Sequence, residues 1–322
     1  MRGLPDLPSL ERAASVVYAA MPPTPQFSWP LLSQYLGAEV WLKHENHTPL
    51  GAFKVRGGLV YFEQLKRNNP EISGVIAATR GNHGQSVAFA AQRYGLNAVI
   101  VVPHGNSREK NEAMRARGVE LIEHGSDFQD ALEHAEHLAH ERNLHMVPSC
   151  HEALVRGVAS YSLELFRAVP DLHTLYVPIG LGSGICGAIS AREALGLKTE
   201  IVGVVSESAP AYAESFRTRS KISRPVGPTI ADGMACRTPN DGALDFIFKG
   251  VNRIVTVPDS AIRASMRRLY VATHNIAEGA GAAAFAAAVQ ERARLQGRRV
   301  GVVLTGANVD SDVFAEVLSE KD

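Results

Sequence analysis

Gly74-Val-Ile-Ala-Ala-Thr-Arg-Gly-Asn-His-Gly-Gln85 runs from a short apolar stretch through a glycine-punctuated turn into a helix-forming stretch. Val75-Ile-Ala-Ala78 carries no charge and reads as a buried strand. Residues 85–94 read as a helix with Gly95 as its C-cap. The rhythm continues with strand 98–102 ended by Pro103, helix 111–117, strand 119–122, helix 127–142 and strand 145–147. It restarts with helix 158–168, strand 175–179, helix 185–195 ending at Gly196, and strand 201–205. Strand 254–257, helices 259–273 and 281–295, and strand 300–304 follow. Strands alternating with helices imply parallel sheets covered on both faces, an α/β fold. Residues 207–250, rich in Pro, Gly and Ser, read as irregular and suit an active-site wall or an oligomer contact.

Upstream, residues 11–20 read as a helix and Met21-Pro-Pro-Thr-Pro25 as an extended linker. Val40-Trp-Leu42 is a short apolar strand, followed by the turn-rich loop Thr48-Pro-Leu-Gly-Ala-Phe-Lys-Val-Arg-Gly-Gly58 and a helix over 57–67. Lys54 lies in that loop between Phe53 and Val55. Apolar neighbours disfavour the ammonium and leave more of the neutral amine, which is the nucleophile that attacks a carbonyl carbon. On this loop alone, an ordinary surface lysine fits as well.

A chain of 322 residues can bury a large core and divide into two domains. Lys and Arg total 33, as do Asp and Glu. Without a basic stripe, nucleic acid and anionic membrane are poor partners. No apolar run reaches the ~18 residues that span a bilayer, and Met-Arg-Gly-Leu-Pro-Asp-Leu-Pro at the N-terminus has no signal-peptide core. Cys150, Cys186 and Cys236 form neither a disulfide framework nor a zinc pattern, so a reducing cytoplasm is the expected compartment.

Gly180-Leu-Gly-Ser-Gly184 lies between a strand and a helix. Glycines there let backbone amides converge, and the helix adds its positive end, so the loop suits a phosphate monoester. Gly182-Ser-Gly-Ile-Cys-Gly187, with Glu207 downstream, also matches a dinucleotide fingerprint. A dinucleotide-dependent oxidoreductase is therefore a competing reading. It places the fingerprint after a complete α/β unit and gives Lys54 and Asn82 no task.

Lys54, Thr79-Arg-Gly-Asn-His-Gly-Gln85, Gly180-Leu-Gly-Ser-Gly184 and Leu304-Thr-Gly-Ala-Asn308 occur in that order. The set resembles the serine/threonine dehydratase family of pyridoxal-phosphate enzymes, of the tryptophan-synthase-β-like fold type, over nearly the whole chain. The resemblance implies two parallel-sheet α/β domains with the cofactor in the cleft between them. Residues 1–73 with 149–322 would form the large domain and 74–148 the small one. It implies that Lys54, beside Phe53, bonds the cofactor aldehyde and later takes the substrate Cα proton. Gly180, Leu181, Gly182, Ser183 and Gly184 would hold the phosphate, and Asn82 the ring hydroxyl. Gly233 and Glu278 would face the ring. Thr305 would meet the ring nitrogen with a neutral hydroxyl, which weakens the electron sink and favours loss of a β-substituent. Arg80, Gly81, Asn82, His83 and Gly84 would receive the substrate carboxylate at a helix start. The implied activity is an ammonia-lyase (dehydratase) converting L-threonine or L-serine to a 2-oxo acid and ammonia, in a cytoplasmic, catabolic homodimer.

The sequence departs from the family pattern in places. Ala52 stands where Ser is usual, and Gly58 where Ala is usual. Arg80 occupies a position that is small in many relatives, which disfavours serine racemisation. It bonds backbone or cofactor phosphate, or it grips a second carboxylate, which would make the substrate 3-hydroxyaspartate-like. An osmolyte-pathway substrate and a non-catalytic amino-acid binder are further alternatives. Ser206 and Tyr212 replace the acids that hold a divalent cation in some relatives, so no metal is expected. His134, His137 and His140 read as a solvated helix face. The chain ends at Asp322, so a C-terminal regulatory domain is not expected.

Overall fold

The structure, a computed structural model, describes residues 3–321. The strands are β1 (Gln26–Ser28), β2 (Glu39–His44), β3 (Gly74–Ala78), β4 (Asn97–Val102), β5 (Glu120–Glu123), β6 (His145–Met146), β7 (Thr174–Pro178), β8 (Glu200–Ser206), β9 (Arg253–Val257) and β10 (Arg299–Leu304). They form a six-stranded sheet in the order β1-β2-β10-β7-β8-β9 and a four-stranded sheet in the order β5-β4-β3-β6. Among these strands, the β1–β2 pairing is antiparallel and the others are parallel. The last strand thus lies inside the larger sheet, between β2 and β7.

Helices cover both faces of each sheet, so strand residues alternate between two cores. Val75 and Ala77 of β3 face one cluster, and Ile76 and Ala78 the other. In β10, Val300, Val302 and Leu304 face one cluster and Val303 the opposite one. These runs are apolar without interruption because neither face meets water.

Several elements differ from the sequence expectation. The lysine helix spans Lys54–Asn68, so Lys54 is its first residue. The next helix begins at Asn82 and ends at Arg93. Residues 207–250 contain two helices, Ala211–Thr218 and Asp241–Gly250. Pro210 and Asn240 are helix-start residues here, and Asn240 Oδ1 accepts the Ala243 amide at 3.1 Å. Both residue types also signal loops, which explains the misreading. The expected helix 281–295 is two, Gly279–Gln290 and Arg292–Leu295. Strand β1 and helices Pro30–Leu36 and Ser311–Ser319 were not expected.

The lysine helix is fixed from two sides. It packs so closely on helix Glu152–Ala168 that a Cβ on Gly157 would lie 2.2 Å from the Arg56 carbonyl oxygen. Beside it, Arg56 Nε meets Glu45 Oε2 at 2.7 Å, Arg56 Nη1 meets Glu164 Oε1 at 2.6 Å and Lys43 Nζ meets Glu164 Oε2 at 2.6 Å. Two cations face two anions in a nearly water-free cluster. Each charge compensates another, which is the condition for burying any of them.

Candidate active site

The loop before Lys54 is held from several directions. The Phe53 amide donates to the Thr305 carbonyl at 3.0 Å, and the Ala307 amide donates to the Gly51 carbonyl at 2.9 Å. Asn308 Nδ2 donates to the Leu50 carbonyl at 2.8 Å. The Thr48 hydroxyl accepts the Ala52 amide at 3.0 Å and donates to the Ala52 carbonyl at 2.9 Å. Ser86 Oγ donates to the Lys54 carbonyl at 2.7 Å and fills the space a side chain at residue 58 would need, so Gly58 fits where alanine would not. Lys54 Nζ lies 3.4 Å from Ser183 Oγ and 5.0 Å from the Phe53 ring centre. Burial pushes its pKa below the usual lysine value, with Cys150 and Glu278 opposing. The neutral amine is therefore more accessible than at a surface lysine.

Gly180–Gly184 joins β7 to helix Ser183–Ala194. The N-cap, Gly182, has φ +101°, no side chain caps the helix, and its first turn carries no acid. The leading amides are thus free for an anion, with the helix dipole behind them. A Cβ on Gly180 would lie 2.3 Å from the Gly233 carbonyl oxygen, and one on Gly182 would lie 2.5 Å from Ala243 Cβ. Tyr212 Oη donates to the Leu181 carbonyl and accepts the Asn240 amide, both at 3.0 Å, bracing the loop from behind. Gly187, the third glycine of the alternative fingerprint, lies against helix Glu152–Ala168, where a Cβ would be 3.0 Å from the Ala159 nitrogen. Glu207 is exposed. The glycines of that fingerprint therefore serve packing and the loop.

In the turn after β3, the Thr79 hydroxyl accepts the amides of Gly81 and Gly84 at 2.9 and 3.1 Å and shapes the turn. Asn82 Nδ2 donates to Glu278 Oε1 at 2.6 Å, and Asn308 Nδ2 donates to Asn82 Oδ1 at 2.8 Å. Glu278 is buried against Gly306, whose Cβ position would lie 2.4 Å from Glu278 Oε1. Lys110 Nζ sits 2.8 Å from Asp232 Oδ2 and 3.1 Å from Glu278 Oε2. Burial opposes the Lys110 ammonium, but Glu278 and Asp232 outweigh it and raise its pKa. Burial raises the Glu278 pKa, with Lys110 opposing. Burial, helped by Lys54, pulls His83 down to about 3, so its ring is neutral. Arg80 Nε, His83 Nε2 and Gln85 Nε2 are buried without a partner.

The structure therefore brings Lys54, Phe53, Thr305, Ser183 and the glycine loop together, with Gly233 against Gly180. Asn82 and Glu278 touch each other, and the Arg80–Gly84 turn leads into Asn82. The Leu181 carbonyl is directed away from the loop's free amides, toward Tyr212. Sequence reasoning gave no site role to Lys110, Asp232, Asn308, Thr79 or Ser86, and read Tyr212 only as standing in place of a metal-holding acid of some relatives. Lys110 follows an ordinary helix-capping serine, Ser107, and nothing local distinguishes it from a surface lysine. Among the described residues, no cluster of three or more His, Cys, Asp or Glu is placed to hold a metal ion. No helix there is long and apolar enough to cross a membrane.

Two mainly parallel sheets, with a desolvated lysine beside an uncapped glycine-rich helix start, define an α/β enzyme that captures a phosphorylated aldehyde. The chain belongs to the family described as pyridoxal-phosphate dependent enzyme, whose model matches residues 17–306. It is 32% identical to L-threonine ammonia-lyase of Thermotoga maritima over 90% of this chain and 72% of that protein. It is 30% identical to L-threo-3-hydroxyaspartate ammonia-lyase of Saccharomyces cerevisiae over 93% of this chain and 92% of that protein. The solved structure of maize serine racemase superposes with a TM-score of 0.91 at 26% identity, covering 98% of this chain and 97% of that one. The protein is a lyase that depends on pyridoxal phosphate. Its residues fit that cofactor: free helix amides and glycines for the phosphate, and a partly buried amine of lowered pKa for the aldehyde.

Proposed function

We propose that this enzyme is an ammonia-lyase that removes the β-hydroxyl from an amino acid such as L-threonine or L-serine, giving a 2-oxo acid and ammonia. The observation that carries this reading is Lys54 Nζ, partly buried and of lowered pKa, at 3.4 Å from Ser183 Oγ of the anion-ready helix start. When bound, pyridoxal phosphate supplies the electron sink for the carbon that loses its proton. Gly180, Gly182, Ser183 and Gly184 hold the phosphate through backbone amides and the Ser183 hydroxyl. Lys54 would hold the aldehyde carbon, and its amine, of lowered pKa, would serve as the base for the substrate Cα proton. Glu278 and Asn308 fix the Asn82 amide so that one N–H remains for the ring hydroxyl. Thr305, buried just after β10, would offer a neutral hydroxyl to the ring nitrogen. The amides of Asn82 and His83 receive the substrate carboxylate.

The purified protein should be yellow and release 2-oxo acid from L-threonine or L-serine. Lys54→Ala should abolish that release. Turnover retained in this variant would sink the reading.

The boundaries 1–73 with 149–322 and 74–148 fit two bodies, since the second range contains the whole four-stranded sheet. The exposed apolar side chains Leu31, Tyr35 and Val271 support a homodimer, which light scattering on the purified enzyme tests. The three free cysteines support a reducing, cytoplasmic setting. A catabolic role fits release of a 2-oxo acid and ammonia.

A further inference from the structure

Among the described residues, no carboxylate forms an ion pair with the guanidinium of Arg80. Arg56, Arg156, Arg253 and Arg299 each meet a carboxylate, and Arg117 lies over the Phe89 ring. Arg80, partly buried, meets neither, and its Nε is shielded from water without a partner. A cation so placed is costly unless an anion joins it. The turn that carries it begins helix Asn82–Arg93, which has no side-chain cap and no acid in its first turn. Thr79 takes the Gly81 and Gly84 amides, and the Gln85 amide goes to the Gly81 carbonyl. The Asn82 and His83 amides remain. The buried, unpartnered Nε2 atoms of His83 and Gln85 lie on the same first turn.

These donors exceed what one carboxylate uses. Two amides at a helix start satisfy one carboxylate, and a planar guanidinium fork is shaped for another. Resting on the ammonia-lyase reading above, we propose that Arg80 binds a second carboxylate, on the substrate side chain. The preferred substrate is then a β-hydroxy amino acid that is also a dicarboxylate. The α-carboxylate takes the Asn82 and His83 amides, and the side-chain carboxylate takes the Arg80 fork. Arg80 is a specificity residue, and the proton transfers stay with Lys54.

The test uses the holoenzyme and two readouts. In calorimetry, wild type should bind succinate at least ~10-fold more tightly than butyrate, a probe of equal carbon number with one carboxylate. Arg80→Gln should erase that difference, and Arg80→Lys, which keeps charge without the fork, should restore part of it. In steady-state assays, the ratio of kcat/KM for 3-hydroxyaspartate over L-serine should fall roughly 100-fold in Arg80→Gln, as expected when one partner of a buried charge pair is truncated. Circular dichroism and the visible cofactor band confirm that each variant is folded and loaded. Equal binding of succinate and butyrate by wild type, or an unchanged substrate ratio in Arg80→Gln, overturns the proposal and leaves the ammonia-lyase reading intact. Absence of 2-oxo acid from every β-hydroxy amino acid, with the succinate preference present and dependent on Arg80, overturns the reaction reading instead.

Discussion

Asn82 donates its side-chain N–H to Glu278 Oε1 at 2.6 Å across 196 residues of sequence. This contact links the turn after β3 to the segment before helix Gly279–Gln290. With Asn308 on its other end, the Asn82 amide cannot flip without breaking two hydrogen bonds. Asn82→Ala should lower cofactor affinity roughly 10-fold, the scale of one hydrogen bond left unmade plus an orphaned buried acceptor. Titration of the apoenzyme with pyridoxal phosphate, followed by absorbance, measures it. Unchanged affinity would mean that Asn82 does not orient the ring.

Gly58 and Ser86 should couple. A Cβ at residue 58 would lie 2.2 Å from Ser86 Oγ. Gly58→Ala alone should cost about 1–3 kcal/mol by overpacking. Ser86→Ala alone should cost about 1 kcal/mol by losing its bond to the Lys54 carbonyl. In the double variant the methyl occupies the space the hydroxyl left, so the combined loss should be smaller than the sum. Urea denaturation of all four proteins closes the cycle. Simple additivity would contradict it.

Gly182→Ala should damage stability and cofactor binding together. Its φ of +101° is unfavourable for a side chain, and the added methyl would meet Ala243 Cβ at 2.5 Å. A loss of about 2 kcal/mol in unfolding free energy is expected from strain and contact. Weaker phosphate retention should appear as faster cofactor loss on dialysis.

Arg56→Met should be among the most destabilising single changes. It strands Glu45 and Glu164 beside Lys43, where side chains are almost fully buried. Loss of one partner in such a cluster costs roughly 3–5 kcal/mol. Chemical denaturation gives the value. Cofactor affinity should fall as well, since Arg56 lies in the first turn of the helix that begins with Lys54.

Stability should fall as pH drops from 7 to 5. His44 and His83 are pulled by burial from the usual 6.5 to about 4 and about 3 respectively. Below pH 6.5 the unfolded chain binds protons that the folded chain refuses, so the unfolded state gains. Each histidine can contribute up to about 2 kcal/mol of that loss by pH 5. Glu164 adds to it at lower pH. Burial tends to raise its pKa, but Arg56 and Lys43 outweigh burial and hold it down, so its contribution is present above 4.5 and lost as pH falls. The slope of unfolding free energy against pH should flatten between 5 and 7 in His83→Asn.

The fold was legible because its signals are local. Val75-Ile-Ala-Ala78 had to be buried on both faces, and the glycines at 180, 182 and 184 mark a strand-to-helix turn whatever surrounds them. Helix starts at Pro210 and Asn240 were misread because the same residue types also build loops. Lys110 escaped notice because a lysine on a short helix looks like any surface lysine until Asp232 and Glu278 are folded against it.

By itself, the sequence determined the alternation of strand and helix, the choice of glycine where backbone must approach backbone, and the order of the lysine, the Asn82 turn, the glycine loop and Thr305. These follow from residue volume, backbone freedom and hydrophobic period, which act over a few residues. Only the tertiary structure decided that β10 enters between β2 and β7, that this brings Thr305 to the Lys54 loop, and that Arg80 pairs with no carboxylate among the described residues. Such facts depend on which distant side chains share a low-dielectric space, and charge pairing there is set by position in three dimensions.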